Sequence, residues 1–586
     1  MSTALKKIGN PVMRSLLAGA VCASLLLSSG CSEAEAEWRE AIESSEQRTV
    51  PQYGGDLNIG TVSITLSALS WDPADWTWKS PHDAGMIREQ LFAGDLDLAV
   101  SRGGPFPFLA DAYLPSDGIR GELAESWHWE DDLTVVINLR RNVMFHDKPG
   151  VMAARELDAE DVVFTYELLR DSPRKIPTYF DHIDTVEARD SHTVVFHFNE
   201  YNAEWMYRFG YGYYSSIVPR ETADIDRRNW RNVTGTGPFR LTRYIQANSQ
   251  VHERIDDYWD TESVDGVEYE IPFVDRVIYR IIKDEATYLA ALRTARLDIL
   301  ESIRWIAVDY LQETTPELQW SRWLSNGGNF MALRLDREPF GDVRVRRALN
   351  LAVNQREIVE TFYGGHAELM AYPQHPDYGD YFQPLEEMPE SVQELFDYNP
   401  EKARQLLAEA GYPDGFEFRV QVCSCSPTNM DLVPLLENYL KDVGVRIRIQ
   451  PMEYGAFLSS MTTRTHTPGY LMGSGHVNPT TTLRKSFVTD QTWNPSMYSD
   501  PDFDRRMAEV YRTRDEDTRI EMIREMTVEI LDQAPYIWLP TEYLYTAWWP
   551  WVRNYAGELR VGAVRPGPIY ARMWIDHELK RDLGFE

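Results

Sequence analysis

The chain has 586 residues, long enough to bury a large core in about two to four structural units. It carries 59 basic and 91 acidic residues, a formal net charge of −32. That balance excludes a nucleic-acid binder, because neutralising phosphates takes a basic stripe that is absent here, and the acidic surface is read as a solubility feature.

Export is written into the first residues. Lys6, Lys7 and Arg14 precede an apolar run from Ser15 to Leu27, too short to span a bilayer as an ordinary helix but suited to a signal segment. Ser28-Ser29-Gly30-Cys31 then resembles a lipobox, although Ser28 stands where an apolar residue is preferred. The expectation is a signal peptide over 1–31, lipid on Cys31, and an acidic tether over 32–53 with little that could pack. The protein would then sit outside the cytoplasm, in the periplasm or at the cell surface, anchored through Cys31. No later stretch is long and apolar enough to cross a membrane. Cys22 would leave with the signal, so only Cys423 and Cys425 remain. In a strand both would point to one face, too close for an easy disulfide, and they are expected as two thiols.

Globular structure is predicted from Gly54-Gly55, with a strand over Leu57–Gly60, followed by a loop holding Trp71, Asp72, Pro73, Trp76 and Trp78. Between Leu123 and Leu169 the period changes. Leu133, Val135, Ile137 and Leu139 alternate with Thr134, Val136 and Asn138 as a strand does, after a turn at Glu130-Asp131-Asp132. Asp158 and Asp161 then suit a capping box, and Val162, Val163, Tyr166 and Leu169 follow at helical spacing. His192–Phe198 is strand-like. Gly235-Thr236-Gly237-Pro238 reads as a turn, since no helix opens after it and Phe239–Tyr244 looks extended. Further on come a strand over Val274–Ile282, a helix over Glu285–Leu297, a helix capped by Asp342, and another capped by Asn399 with a stop at Gly411. Phe416–Val422, the helix Leu432–Val443 and Val445–Pro451 predict a βαβ crossover. Glu509–Leu531 is expected to be one last long helix.

Several of these passages, in this order, resemble bacterial family 5 extracellular solute-binding proteins, the substrate-binding subunits of ABC importers for peptides, nickel and oligosaccharides. The resemblance rests on Leu123-Ala124-Glu125-Ser126-Trp127, Asp131-Asp132-Leu133-Thr134, Phe145-His146-Asp147 and Ala159 to Phe164. It is joined by Gly235-Thr236-Gly237-Pro238, Asp257-Tyr258-Trp259 and Pro339 to Asn350, and runs from about Gly55 to Trp574. The loop from Lys148 to Glu156 is longer than the family's. The resemblance implies an α/β, bilobed periplasmic-binding-protein fold of type II with the extra subdomain of the large peptide-binding class. Lobe I is expected over 54–310 with that subdomain at about 86–225, lobe II over 311–535, and a return to lobe I with a C-terminal tail over 536–586.

It also implies a ligand cleft between lobes that close on a solute and hand it to a permease. Peptide-binding relatives anchor the ligand's α-ammonium with an Asp in a Gly-x-x-x-Asp-x-x-x-Pro segment. Registered on Pro479, the segment from Gly469 places Gly475 where that Asp would fall, with His476 and Asn478 as the nearby polar groups. A peptide remains the favoured solute. An oligosaccharide or other amine-free solute is the alternative, because Trp76, Trp78, Trp305 and Trp493 could stack on sugar faces. Asn329, at the start of lobe II, completes the expected ligand-binding set. The implied partners are the solute and the ABC permease, with the protein as a monomer.

No catalytic group emerges. Gly473-Ser474-Gly475 lacks the nucleophile-elbow spacing, and His577-Glu578 has no second His at helical spacing for zinc. His146-Asp147 belongs to the family signature and is read as structural. No cofactor and no metal are implied, and a secreted hydrolase is the rival class.

Overall fold

The structure is a computed structural model that describes residues 41–42, 45, 49–61, 68–475 and 477–585. Cys31, the signal segment, nearly all of the tether before residue 49 and His476 lie outside the described residues. The fold is carried by the compact unit Val50–His577.

Strand β1 (Asp56–Thr61) opens it, with Leu57 and Ile59 buried. A four-stranded antiparallel sheet follows, built from β2 (Ala124–Asp131), β3 (Thr134–Leu139), β4 (Ile183–Asp190) and β5 (Thr193–Phe198) in the order β2-β3-β5-β4. The β2–β3 turn forms where acidic residues were expected to make one, and Asp131 accepts from the Leu133 amide at 2.8 Å. Helix α1 (Ala159–Arg170) starts on the predicted capping box, with Asp158 and Asp161 each satisfying a backbone amide at the helix start. Its Val162, Tyr166 and Leu169 are buried.

Next come β6 (Phe239–Ile245), β7 (Ser249–Arg254), β8 (Arg276–Ile281), α2 (Glu285–Arg293), β9 (Ile299–Arg304) and β10 (Gln319–Leu324). The turn before β6 needs its glycines for close approach. A Cβ on Gly235 would meet the Ile87 carbonyl oxygen at 2.2 Å, and one on Gly237 the Ile87 carbonyl carbon at 2.8 Å.

The chain then enters a second sheet at β11 (Gly327–Leu333) and adds α3 (Val343–Leu351), α4 (Pro400–Glu409), β12 (Glu417–Cys423), α5 (Pro427–Asp442) and β13 (Arg446–Met452). It continues through α6 (Tyr454–Thr462), β14 (Gly469–Gly475), α7 (Pro479–Phe487), α8 (Pro501–Arg512), α9 (Glu516–Gln533) and β15 (Tyr536–Trp538). The order of this sheet is β13-β12-β14-β11-β15, and β12 and β13 are parallel, as a βαβ crossover requires. The last long strand, β16 (Thr541–Trp548), returns to the first sheet, whose order is β6-β7-β8-β1-β9-β16-β10, with the short strand Ala367–Glu368 also paired to β16. Two lobes thus surround two sheets, linked by Ser325-Asn326 and by Leu539-Pro540.

Three expectations need correction. The changes of sheet fall after Leu324 and after Trp538, not at 311 and 536, because β10 pairs with β16 and β15 pairs with β11. The single helix expected over Glu509–Leu531 is two, broken at Thr513-Arg514-Asp515, where the Asp515 side chain caps α9 by accepting from the Thr518 amide at 2.9 Å. Cys423 and Cys425 form a disulfide. The strand ends at Cys423 and the chain turns through Ser424 and Cys425, so the two side chains no longer follow strand geometry.

Candidate functional site

The floor between the lobes is set by the two connectors. β11 begins immediately after the first, and its Gly327 pairs with Gly475 at the end of β14. The Gly475 end of the second sheet therefore lies where the chain passes from lobe to lobe. Asn329 is buried there, and its side-chain amide donates to Glu542 at 2.6 Å beside the second connector. Burial raises the Glu542 carboxyl above its ordinary value.

The two walls meet at several points. Trp78, from the loop after β1, is 38% exposed and lies against Tyr454 at the start of α6. Glu204 accepts from the Thr481 hydroxyl in α7 at 2.6 Å and is neutralised by Arg208 at 3.3 Å. Tyr113 packs on Tyr378 with ring centroids 4.7 Å apart, and Arg304 reaches Asp431 of α5 at 3.3 Å. Half-exposed Tyr213 and Tyr214 lie on the first-lobe side.

On the second-lobe wall, α7 folds back toward β14. The Asn478 side chain caps α7 by accepting from the Thr481 amide at 2.7 Å, and Pro479 takes the first helical position. Two turns on, Lys485 donates to the Gly475 carbonyl and lies 6.0 Å from the centroid of Trp493. Lys485 is half-buried; loss of water around it, and then the neighbouring Arg484 cation, lower its pKa to about 7. Among the described residues other than its chain neighbours, none comes within 4 Å of where a Gly475 Cβ would stand.

The expected site residues thus separate into two groups. Trp78 meets the second lobe at Tyr454, Gly475 and Trp493 both meet Lys485, and Asn478 supports α7 through the cap. Asn329 is held by Glu542. Trp76 is buried, 4.6 Å from Tyr214 and 5.1 Å from Tyr179, with its indole N–H on the Leu169 carbonyl. Trp305 is buried against Tyr363 at 4.8 Å and Phe362 at 5.9 Å. The sequence reading missed Tyr454, Arg484, Lys485 and Asp111. Lys485 had a signal, since Asn-Pro opens a helix and seven residues make two turns back toward Gly475. Asp111 is half-exposed, 3.9 Å from Arg560, and raised above the usual carboxylate range by burial.

His146 is held low, at about 4, by desolvation, and its backbone amide donates to Gly235 at 3.1 Å. A neutral, desolvated imidazole on a backbone tied to that turn suits packing rather than proton transfer. Among the described residues no cluster of three or more His, Cys, Asp or Glu could hold a metal ion, and no helix is long and apolar enough to cross a membrane.

A family model for bacterial extracellular solute-binding proteins, family 5 middle, matches residues 118–494, more than half of the chain. The chain is 26% identical over 496 residues to di/tripeptide-binding protein 1 of Pseudomonas aeruginosa, covering 80% of this chain and 86% of that protein. It is also 26% identical over 455 residues to heme-binding protein A of Haemophilus influenzae, covering 73% and 79%. Among solved structures, the periplasmic binding protein DppA of Helicobacter pylori in complex with peptide STSA superposes with a TM-score of 0.72 at 23% identity, over 90% of this chain and 99% of that one. The bilobed fold, the order of its motifs and these matches agree: the chain belongs to the family 5 bacterial extracellular solute-binding proteins, which are binding proteins of ABC transporters and not enzymes.

Proposed function

We propose that this protein is an extracytoplasmic, lipid-anchored subunit of an ABC importer that captures a peptide between its lobes and delivers it to a membrane permease. The observation that carries the reading is the meeting of Trp78 from the first lobe with Tyr454 from the second. Aromatic faces there supply contact area, and closure expels water, which strengthens each polar contact made inside. The disulfide at Cys423–Cys425 suits an oxidising compartment outside the cytoplasm. The peptide class rests on the naming of the di/tripeptide-binding relative. A second reading, an amine-free solute such as an oligosaccharide, is favoured by the lack of a carboxylate at Gly475. In either case the protein acts as a monomer.

A thermal-shift screen of peptides, oligosaccharides, opines and nickel chelates tests the solute. Ligand at about a hundred times its dissociation constant should stabilise the protein by roughly 2.7 kcal/mol. If sugars shift the melting temperature and no peptide does, the peptide reading is wrong. The anchor is tested separately: wild type should fractionate with membranes and Cys31→Ala should not, whereas a soluble wild type whose N-terminus is not Cys31 would refute lipidation.

A further inference from the structure

We propose that the second-lobe wall formed by Gly475, Lys485 and Trp493 is a subsite for a carboxylate of the solute, so that the cargo presents an acid at this end and not a free ammonium. The inference rests on the reading of the cleft as the solute site and names the chemistry taken there.

The first support is geometric. Lys485 spends one of its three protons on the Gly475 carbonyl, leaving two for a ligand. The Trp493 ring lies 6.0 Å from the ammonium and holds it on the apolar side. Apart from Gly475's own chain neighbours, no described residue comes within 4 Å of where a Cβ on Gly475 would stand, so the glycine itself puts no side chain into the space beside it.

The second support is the balance of charge. Among the described residues no carboxylate lies within ion-pair distance of Lys485 or Arg484. Arg484 gives one N–H to Gln491 at 2.6 Å, and its buried Nε has no acceptor. The acidic group on the facing wall, Glu204, is already committed to Arg208 and Thr481. Two adjacent cations without an anion are costly in a place short of water, which is why the Lys485 pKa falls to about 7. A ligand carboxylate removes that cost through a charge-assisted hydrogen bond. An α-ammonium in the same place would add a third positive charge. The carboxylate that could serve an amine instead is Asp111, on the first-lobe side, next to Arg560.

The test is calorimetry on the full chain with one trialanine series carrying a free, an N-acetylated or an N-succinylated amino end. The succinylated ligand should bind at least about tenfold, or roughly 1.4 kcal/mol, tighter than the other two. Lys485→Gln should erase that preference, and Lys485→Arg should retain it. Gly475→Asp should erase it as well, by neutralising Lys485 from within. A preference for the free amine that survives Lys485→Gln and disappears in Asp111→Asn would overturn the proposal while leaving peptide binding intact. If none of the three ligands binds, the peptide reading fails, and a second measurement decides the subsite. Acetylation of Lys485 by acetic anhydride, followed by mass spectrometry, should be slowed by sodium succinate relative to sodium chloride at matched ionic strength. Equal labelling in both salts would overturn the carboxylate subsite.

Discussion

Inside the first lobe Arg565 forks onto both oxygens of Glu122 at 2.5 Å, fully buried, and Glu89 lies near enough to feel that carboxylate. Removing one partner of such a pair strands the other charge. Arg565→Met should therefore lower the unfolding free energy by about 3–5 kcal/mol in urea denaturation, and a loss below about 1 kcal/mol would mean that water reaches Glu122. Glu89 accepts from Tyr258 at 2.6 Å and from the Trp259 indole at 3.0 Å. Burial, and then the Glu122 charge, raise its pKa from 4.5 to about 8. The folded value lies above the unfolded one, so the folded state binds the extra proton. That contribution to stability is complete below about pH 4.5 and is lost as the pH rises through about 8. Glu89→Gln should flatten the fall in melting temperature between those limits relative to wild type, and parallel curves for the two proteins would contradict the raised pKa. Tyr258 and Trp259 could be picked out in the sequence as part of a motif. Their task of holding a protonated acid could not, because Glu89 is far from them along the chain.

At the scale of the element, what could be read in the sequence was whatever is encoded within about four residues. The caps of α1, α3 and α4 were legible for that reason, since Asp158, Asp342 and Asn399 sit next to the amides they satisfy. Asp158 also pairs with Arg220. Asp158→Ala should cost about 1–2 kcal/mol in urea denaturation, and no measurable change would show that water replaces the cap. The break between α8 and α9 was missed because Thr513-Arg514-Asp515 contains neither Gly nor Pro, and only the cap made by Asp515 ends the run. The disulfide is not legible from strand periodicity because the strand ends at Cys423 and Cys425 lies in the turn after it. Within the candidate site, Gly475 was visible as a departure from a motif. Lys485 carries a local signal in the Asn-Pro helix start, but its partner becomes evident only once α7 has folded back on β14, a contact across ten positions.

For the whole molecule, the family resemblance implies two lobes and the periodicity a strand–helix–strand crossover, and both changes of sheet fall later than the expected bounds. Pairing partners hundreds of residues apart decide where a strand belongs, as Gln319 to Trp548 illustrates. The two-residue connectors confine any opening to a few backbone torsions, which is the geometry of hinge closure. Small-angle scattering should therefore show the radius of gyration falling when a ligand from the thermal-shift screen saturates the protein. An unchanged radius at saturation would mean a rigid cleft and no closure.

The position of β16 has a consequence for how the protein is made. It lies between β9 and β10 in the first sheet, yet it leaves the ribosome only after the whole second lobe. Until then β9 and β10 each lack a neighbour on that side, and the first lobe cannot complete its hydrogen bonding. The second lobe, by contrast, is one unbroken run of chain from Gly327 to Trp538. A chain ending at Leu539 should keep a protease-resistant core within 327–538 and lose resistance over 56–324. Equal protection of both stretches would show that the first sheet closes without its last strand.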